Sequence, residues 1–196
     1  MHCFQIVLLF IIFSSVYFFA TCQNIPSPRY EQASSLIGTR FYFFGGQTGS
    51  FSSNEVWYLD LSNSFNKTIP PWRKDIGMPV GYSIGSLCVS PIDNSSVFLV
   101  GGRIFIPNTF SPSDSSSSVY VFDSKTSQWA AATNINGFNS SFLSRNEMQA
   151  IIDNSGKIFI FGGTNVNSTL STFYNDMNIL DINTMTNFIF VLTFLC

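Results

Sequence analysis

The heptapeptide RFYFFGG at residues 40–46 is an apolar strand closed by two glycines, and the chain repeats this pattern as SVFLVGG at 96–102 and KIFIFGG at 157–163. After a loop, each copy is followed by a second strand that ends in Asp: EVWYLD at 55–60, SVYVFD at 118–123 and MNILD at 177–181. The first glycines lie 56 and 61 residues apart. Self-similarity at such a spacing is typical of repeated supersecondary units. The sequence therefore predicts a modular chain with one small sheet in each repeat.

Each repeat is predicted to form four short antiparallel strands, because segments rich in aromatic and β-branched residues alternate with turn residues. A tight reversal at Gly38-Thr39 separates the first two strands of the first repeat, and Asn, Asp, Ser and Gly occupy the equivalent turns later. Beyond the N-terminal apolar run, no segment has the 3.6-residue period of a helix. The fold class is predicted to be all-β. The expected strands of the first repeat are Tyr30 to Ile37, Arg40 to Phe44, Glu55 to Asp60 and Trp72 to Asp75.

The repeated glycines and aspartates have structural explanations. A strand that turns sharply out of a crowded sheet needs positive φ or close backbone approach, and glycine allows both. Asp60, Asp123 and Asp181 each precede a polar turn, where a carboxylate can accept backbone N–H groups in an Asx-type turn. Recurrence at one place in each repeat favours a structural role over a catalytic one.

Together, the diglycine after an apolar strand, the aromatic strand ending in Asp and the Trp after a short turn resemble the kelch motif. The resemblance implies that each repeat is one four-stranded blade of a β-propeller and that the Trp packs between neighbouring blades. It covers about residues 28–187, and the region at 23–187 is predicted to hold three blades at about 28–76, 80–133 and 144–187. The residues that match the motif are Gly45, Gly46, Trp57, Asp60 and Trp72 in the first blade, Gly101, Gly102, Tyr120, Asp123 and Trp129 in the second, and Gly162, Gly163 and Asp181 in the third.

The third blade departs from the motif. Where a Trp is expected after Asp181, the chain has Asn187 and then an atypical apolar tail at 188–196. Propellers close with about four to eight blades, so three blades predict an incomplete propeller with exposed sheet edges and apolar faces. The resemblance implies five to seven blades in a full-length relative.

The N-terminus is interpreted as a signal peptide at 1–22. An uncharged apolar run at 6–19 is shorter than a membrane span, and Ala20 and Cys22 are small residues ahead of a cleavage site before Gln23. The alternative is an uncleaved anchor, since the residues before the run contain no Lys or Arg. Both interpretations send the chain into the secretory pathway, and we expect it to be secreted or on the extracellular face of the cell membrane.

Four N-x-[ST] sequons agree with that destination, and each lies in a predicted loop where a glycan can be accommodated. They begin at Asn66, Asn94, Asn139 and Asn167. The longer loops at 47–54, 103–117 and 164–175 are predicted to lie on one face of the propeller. Such loops are where a protein or glycan partner is expected to bind.

Composition excludes several functions. The net charge is −2 and the basic residues are scattered, so nucleic-acid binding is not expected. The only histidine is His2, which excludes Ser-His-Asp or Cys-His catalysis and a His-ligated metal from the rest of this chain. No paired carboxylates or phosphate-binding loop is present in a recognisable spacing. We therefore predict a binding scaffold with no cofactor, and no enzyme.

Two alternatives remain open at this stage. Some propellers of this type are copper oxidases similar to galactose oxidase, and a fragment of such an enzyme is one alternative, with ligands supplied by segments outside this chain. The other is the ectodomain of a membrane-anchored receptor. Membrane association is expected only through an uncleaved leader or a segment beyond residue 196.

Overall fold

A computed structural model describes residues 25–113, 119–132, 145–166 and 171–191. The predicted signal peptide at 1–22 lies outside these ranges. Within them, the chain forms sixteen strands and no helix, so the all-β prediction is confirmed. None of the described residues belongs to a helix with the length and apolar character needed to span a membrane. The strands are β1 (Ala33–Ile37), β2 (Arg40–Phe44), β3 (Val56–Asp60), β4 (Trp72–Asp75), β5 (Gly81–Ser83), β6 (Ser86–Val89), β7 (Ser96–Val100), β8 (Arg103–Phe105), β9 (Val119–Asp123), β10 (Gln128–Ala131), β11 (Gln149–Ile152), β12 (Lys157–Phe161), β13 (Thr164–Val166), β14 (Ser171–Phe173), β15 (Asp176–Asp181) and β16 (Thr186–Val191).

Three four-stranded antiparallel sheets form the body of the structure. Blade one is β1-β2-β3-β4, blade two is β6-β7-β9-β10 and blade three is β11-β12-β15-β16. Two short ribbons, β5-β8 and β13-β14, extend from the connections between these strands. The first strand of blade two packs beside the first strands of both other blades. This is the side-by-side arrangement of propeller blades.

The core consists of two layers, one on each side of blade two. Val97 and Leu99 of β7 point towards blade one, where they join Tyr42 and Phe44 in one cluster. Their neighbour Phe98 points the other way, into a second cluster with residues of blade three. Successive side chains of a strand alternate between the two sides of its sheet, and here both sides are buried. The uninterrupted apolar sequence of β7 is explained by this double burial.

Three strand boundaries differ from the prediction, and the smallest difference is in β3, which begins at Val56 rather than Glu55. The first strand begins at Ala33 rather than Tyr30, because Glu31 has a positive φ of 59° and interrupts the extended backbone. The apolar tail was predicted to start after residue 187, outside the blade. Instead β16 (Thr186–Val191) crosses that boundary and pairs with β15 along its whole length. Residues 188–191 therefore pair with blade three, and residues 192–196 lie outside the described ranges.

Candidate binding face

The connections between strands divide into two sets at opposite ends of the blades. We call one end the loop face; it carries the connections at 45–55, 76–85, 101–113, 162–166 and 171–175. The other end, the turn face, carries mostly shorter reversals, at 38–39, 61–71, 90–95, 124–127, 153–156 and 182–185. The described parts of the three loops predicted to bind a partner all lie on the loop face.

The diglycines join one blade to the next at the loop face. The N–H of Gly46 donates to the carbonyl of Tyr82 at 2.8 Å, and the N–H of Gly102 donates to the carbonyl of Arg145 at 2.9 Å. The first glycine of each pair has positive φ, and a Cβ on Gly45 would lie 2.4 Å from the Tyr82 oxygen. Only glycine accommodates both the turn and this approach. The corresponding Cβ on Gly101 would lie 2.6 Å from the Arg145 oxygen.

An arginine and a carboxylate brace the diglycine in blade one. Arg29 donates through Nη2 to Glu55 Oε2 at 2.7 Å and through Nη1 to the Gly45 carbonyl at 3.1 Å. Burial alone would raise the pKa of Glu55, but hydrogen bonds from Lys74, Arg29 and Trp57 outweigh it and lower the pKa to about 2. Glu55 is therefore an ionised structural anchor and not a proton donor.

Blade three repeats this arrangement. Arg145 binds both carboxylate oxygens of Asp176 and also donates to the Gly162 carbonyl at 3.3 Å. Burial raises the pKa of Asp176, but the Arg145 hydrogen bond and charge lower it below its usual value. In blade two, Tyr82 takes the place of the arginine, and its hydroxyl lies 3.5 Å from the Val100 carbonyl.

Sequence reasoning missed both arginine–carboxylate pairs. The available signal was an Arg-x-Glu tripeptide ahead of the first strand, present at 29–31 and 145–147, together with an acid at the start of the third strand. The spacing between the partners is 26 residues in one blade and 31 in the other. A pair so far apart in the chain is recognisable only once the blades are superimposed in register.

The predicted tryptophans occupy unlike environments. Trp129 packs against Phe44 of blade one and Phe122 of its own blade, and its Nε1–H donates to the Ile76 carbonyl at 3.1 Å. It therefore lies between neighbouring blades, as the resemblance implied. Trp72 instead packs at a tilted angle against Phe43, on the side of blade one that faces away from blade two. Trp57 is buried under the ammonium of Lys74, and Tyr120, its counterpart in blade two, is buried in the core.

The three repeated aspartates form the same turn on the turn face. Oδ1 of Asp60 accepts the Ser62 N–H at 3.0 Å, and Oδ1 of Asp123 and Asp181 each accept the N–H two residues on at 2.9 Å. These hydrogen bonds are those of an Asx-type turn. Of the sequons, Asn66 and Asn94 are exposed on the turn face. Asn139 and Asn167 lie outside the described residues.

Neighbouring loops on the loop face are also joined directly. Ser52 in the blade one connection donates its N–H to the Thr109 carbonyl at 3.0 Å, and its carbonyl accepts the Asn108 N–H at 3.2 Å. Thr48 closes its own loop by accepting N–H groups from Ser50 and Phe51. The connections of blades one and two therefore form one hydrogen-bonded surface, and not two independent loops.

Large apolar side chains project from the loop-face connections. Tyr30, Phe110 and Phe173 have 56%, 52% and 79% of their surface exposed, and Arg103 at the start of β8 and Ile106 just after it are also exposed. Aromatic and arginine side chains are those that dominate protein–protein binding energy. None of these residues was singled out from the sequence, because an exposed aromatic cannot be told from a core aromatic by its type.

The acidic side chains nearest the diglycines of this face are held in ion pairs. Glu55 and Asp176 are both paired with arginine. Within the residues that the structure describes, there is no group of three His, Cys, Asp or Glu side chains placed to hold a metal ion. The face therefore presents hydrogen-bonding backbone, aromatic surface and paired charges.

The geometry defines a class: three consecutive blades of a β-propeller, joined at their diglycines. Comparison with known proteins finds the kelch repeat in part of the chain. The Kelch motif model matches residues 85–135, which contain the four strands of blade two. The chain therefore carries a kelch repeat in blade two and is similar to kelch-repeat proteins.

The similar proteins share sequence over parts of the chain. Kelch-like protein 25 of Xenopus tropicalis is 28% identical over 147 residues, which are 73% of this chain and 22% of that protein. The human protein of the same name is 27% identical over the same length. Kelch repeat-containing protein 2 of Saccharomyces cerevisiae is 32% identical over 88 residues, 42% of this chain and 10% of that protein. The chain thus aligns with about a fifth of the length of the Kelch-like relatives.

Proposed function

We propose that this protein is a non-catalytic scaffold that binds a protein partner on its loop face. The observation that carries the proposal is the joined surface around Ser52, Asn108 and Thr109, from which Phe110 projects half exposed. A surface whose loops are already fixed loses little entropy when a partner binds. The pairing of Glu55 and Asp176 with arginine supports a structural role for the acids nearest the diglycines.

Site-specific photo-crosslinking tests this proposal. A photoreactive phenylalanine analogue is placed at Phe110 on the loop face or at Phe65 on the turn face, which are 52% and 41% exposed. We expect a discrete protein adduct from position 110 and none from position 65. With the captured partner purified, Phe110→Ala is expected to weaken its dissociation constant at least about tenfold, and Phe65→Ala less than about twofold. Adducts from position 65 alone would overturn the proposal.

We further propose that the protein is secreted or displayed on the extracellular face of the membrane and carries glycans on its turn face. The N-terminal apolar run and the exposed sequons at Asn66 and Asn94 support this. Glycans at these two positions leave the loop face uncovered. Expression in a secretory cell should release the protein into the medium, and endoglycosidase treatment should lower its apparent mass.

The sequon variants provide the control for that measurement. Asn66→Gln and Asn94→Gln should each remove one glycan, and each should therefore reduce the decrease in apparent mass that endoglycosidase causes. Retention in the cytosol, or a mobility unaffected by endoglycosidase, would contradict the proposed location. This outcome is independent of the crosslinking result, because partner binding needs only the folded blades.

A further inference from the structure

The sequon at Asn66 lies in a turn that fixes the orientation of its side-chain amide. The Asn66 Oδ1 atom accepts both the N–H of Thr68 at 3.0 Å and the hydroxyl of Thr68 at 2.9 Å. The backbone closes the same turn, because the N–H of Ile69 donates to the Asn66 carbonyl at 2.9 Å. With Oδ1 directed at the Thr68 donors, Nδ2 at the other end of the planar amide points away from them. Nδ2 is the atom that carries an N-linked glycan, so the direction in which a glycan leaves the chain is fixed here.

The sequon at Asn94, on the same face, is held differently. The N–H of Ser96, its third residue, donates to Asp93 Oδ1 at 3.0 Å, and the Ser96 hydroxyl donates to Asp93 Oδ2. The third residue of this sequon is therefore bound to Asp93 and not to the Asn94 side chain. The same tripeptide pattern thus fixes a glycan direction at Asn66 and not at Asn94.

Apolar side chains lie next to the amide of Asn66. Phe65 directly precedes it and is 41% exposed, and Ile69 is 62% exposed. The first and fourth residues of a β-turn have Cα atoms less than about 7 Å apart, which places Ile69 beside Asn66. The residues immediately on either side of Asn94 are polar, and Ile92 in that connection lies against the neighbouring turn of blade three. Of the two sequons, only the one at Asn66 therefore has solvent-facing apolar surface around its attachment point.

We propose that a glycan on Asn66 is a structural part of the turn face, with its first N-acetylglucosamine packed on Phe65 and Ile69. This inference rests on the proposed entry into the secretory pathway, where N-linked glycans are added. The C–H groups on one face of the sugar ring are apolar, and their burial against an exposed aromatic ring removes both surfaces from water. Attachment through an amide that is already oriented lowers the entropy lost when the sugar packs. A glycan on Asn94 has no such surface beside it, and it is expected to extend into solvent.

Melting temperatures of singly glycosylated chains test this inference. One full-length chain retains only the Asn66 sequon, through Asn94→Gln, Asn139→Gln and Asn167→Gln, and its matched control retains only the Asn94 sequon. After secretion with high-mannose glycans, each is either trimmed to its first sugar by an endoglycosidase or stripped completely by a peptide N-glycosidase. In the chain with the Asn66 sequon, trimming should leave the melting temperature unchanged and stripping should lower it by about 2–4 °C. In the control chain, neither treatment should shift it by more than about 1 °C.

A Phe65 variant separates sugar packing from the conversion of Asn to Asp that stripping causes. In the chain with the Asn66 sequon, Phe65→Ala should reduce the loss on stripping to about 1 °C or less, because the aromatic surface under the sugar is gone. The matched control is Leu61→Ala in the same connection, also at a 41% exposed apolar position, which should leave the loss on stripping unchanged.

The outcomes distinguish this inference from the proposed location. A secreted, glycosylated chain that melts at the same temperature with and without its first sugar would overturn the packing alone, as would a loss on stripping that Phe65→Ala does not alter. The same independence of the sugar is expected if this apolar surface binds a protein partner instead. A chain that is retained in the cytosol, or that carries no glycan at Asn66, would overturn the packing together with the proposed modification of this sequon.

Discussion

Arg145 and Asp176, 31 residues apart in the chain, form a bidentate ion pair with N–O distances of 2.6 and 3.2 Å. Only 1% of the Arg145 side chain is exposed, and its guanidinium lies 3.7 Å from the centre of the Tyr174 ring. A buried guanidinium is tolerated only when its charge and donors are matched. The pair therefore ties the approach to the first strand of blade three to the start of its third strand.

Replacing Arg145 should destabilise the fold strongly. Arg145→Met leaves the Asp176 carboxylate half-buried without its cation, and we expect the free energy of unfolding to fall by about 3 kcal/mol. Arg145→Lys should recover only part of this, because an ammonium cannot make the two parallel bonds or the ring contact. Urea titration measures the free energy of unfolding of both variants. Arg103→Met, at an exposed arginine, is the control. Equal stability of Arg145→Met and Arg103→Met would contradict the assignment.

Two glycine variants distinguish the close contact between blades at the diglycine from the backbone strain of a positive-φ turn. Gly38 and Gly101 have similar φ values of 57° and 60°, but a Cβ at Gly38 has nothing within 4 Å. Gly38→Ala should therefore lower the free energy of unfolding by only about 1 kcal/mol, the cost of placing alanine in the left-handed backbone conformation. Gly101→Ala also forces two blades apart, so its free energy of unfolding should fall by at least about 3 kcal/mol. Thermal unfolding compares the two variants, and equal losses would show that blade contact is not what requires Gly101.

Stability should fall in acid in a way that depends on Glu55. Its carboxyl has a pKa near 2 in the folded chain, against an ordinary value of 4.5. The lower folded pKa means that ionised Glu55 stabilises the fold fully above pH 4.5, and that this contribution is lost as the pH falls through 2. Glu55→Gln should therefore be less stable than wild type at pH 7, with the difference shrinking on acidification.

Urea titrations at a series of acid and neutral pH values measure that difference. Arg29→Met should reduce the same pH dependence, because Arg29 supplies one of the hydrogen bonds that lower the Glu55 pKa. A stability difference between Glu55→Gln and wild type that stays constant across this range would contradict the proposed ionisation.

The junction between blades one and two should depend on Trp129 more than on Trp72. Trp129→Ala removes ring contacts with Phe44 and Phe122 and the hydrogen bond to Ile76, so we expect a loss of about 3 kcal/mol. Among the ring pairs of the described residues, Trp72 takes part only in the pair with Phe43, on the outer side of blade one. Trp72→Ala should lose about half as much. Hydrogen exchange should show the Trp129→Ala effect in the strands of both blades.

The sequence predicted most of the fold because blade structure is encoded locally. Turn residues, aromatic strands and the diglycine lie within a few positions of one another, and they indicate strands such as β2 and β12 to the residue. Strand β16 was missed because its apolar composition lacks the alternation of a half-exposed strand. The candidate site was predicted only as a set of loops. Its braced glycines and exposed aromatics depend on partners far away in the chain.

The sequence by itself determined the class of structure, the number of described blades and the Asp turns, since each follows from backbone preferences within a short segment. Only the tertiary structure decided that Arg29 pairs with Glu55, that Trp129 reaches Ile76 across 53 residues, and that the Gly102 N–H bonds to the next blade. These contacts depend on how the sheets twist and lie beside one another. That arrangement is set by the burial of both sides of blade two, a property of the packed chain and not of any one segment.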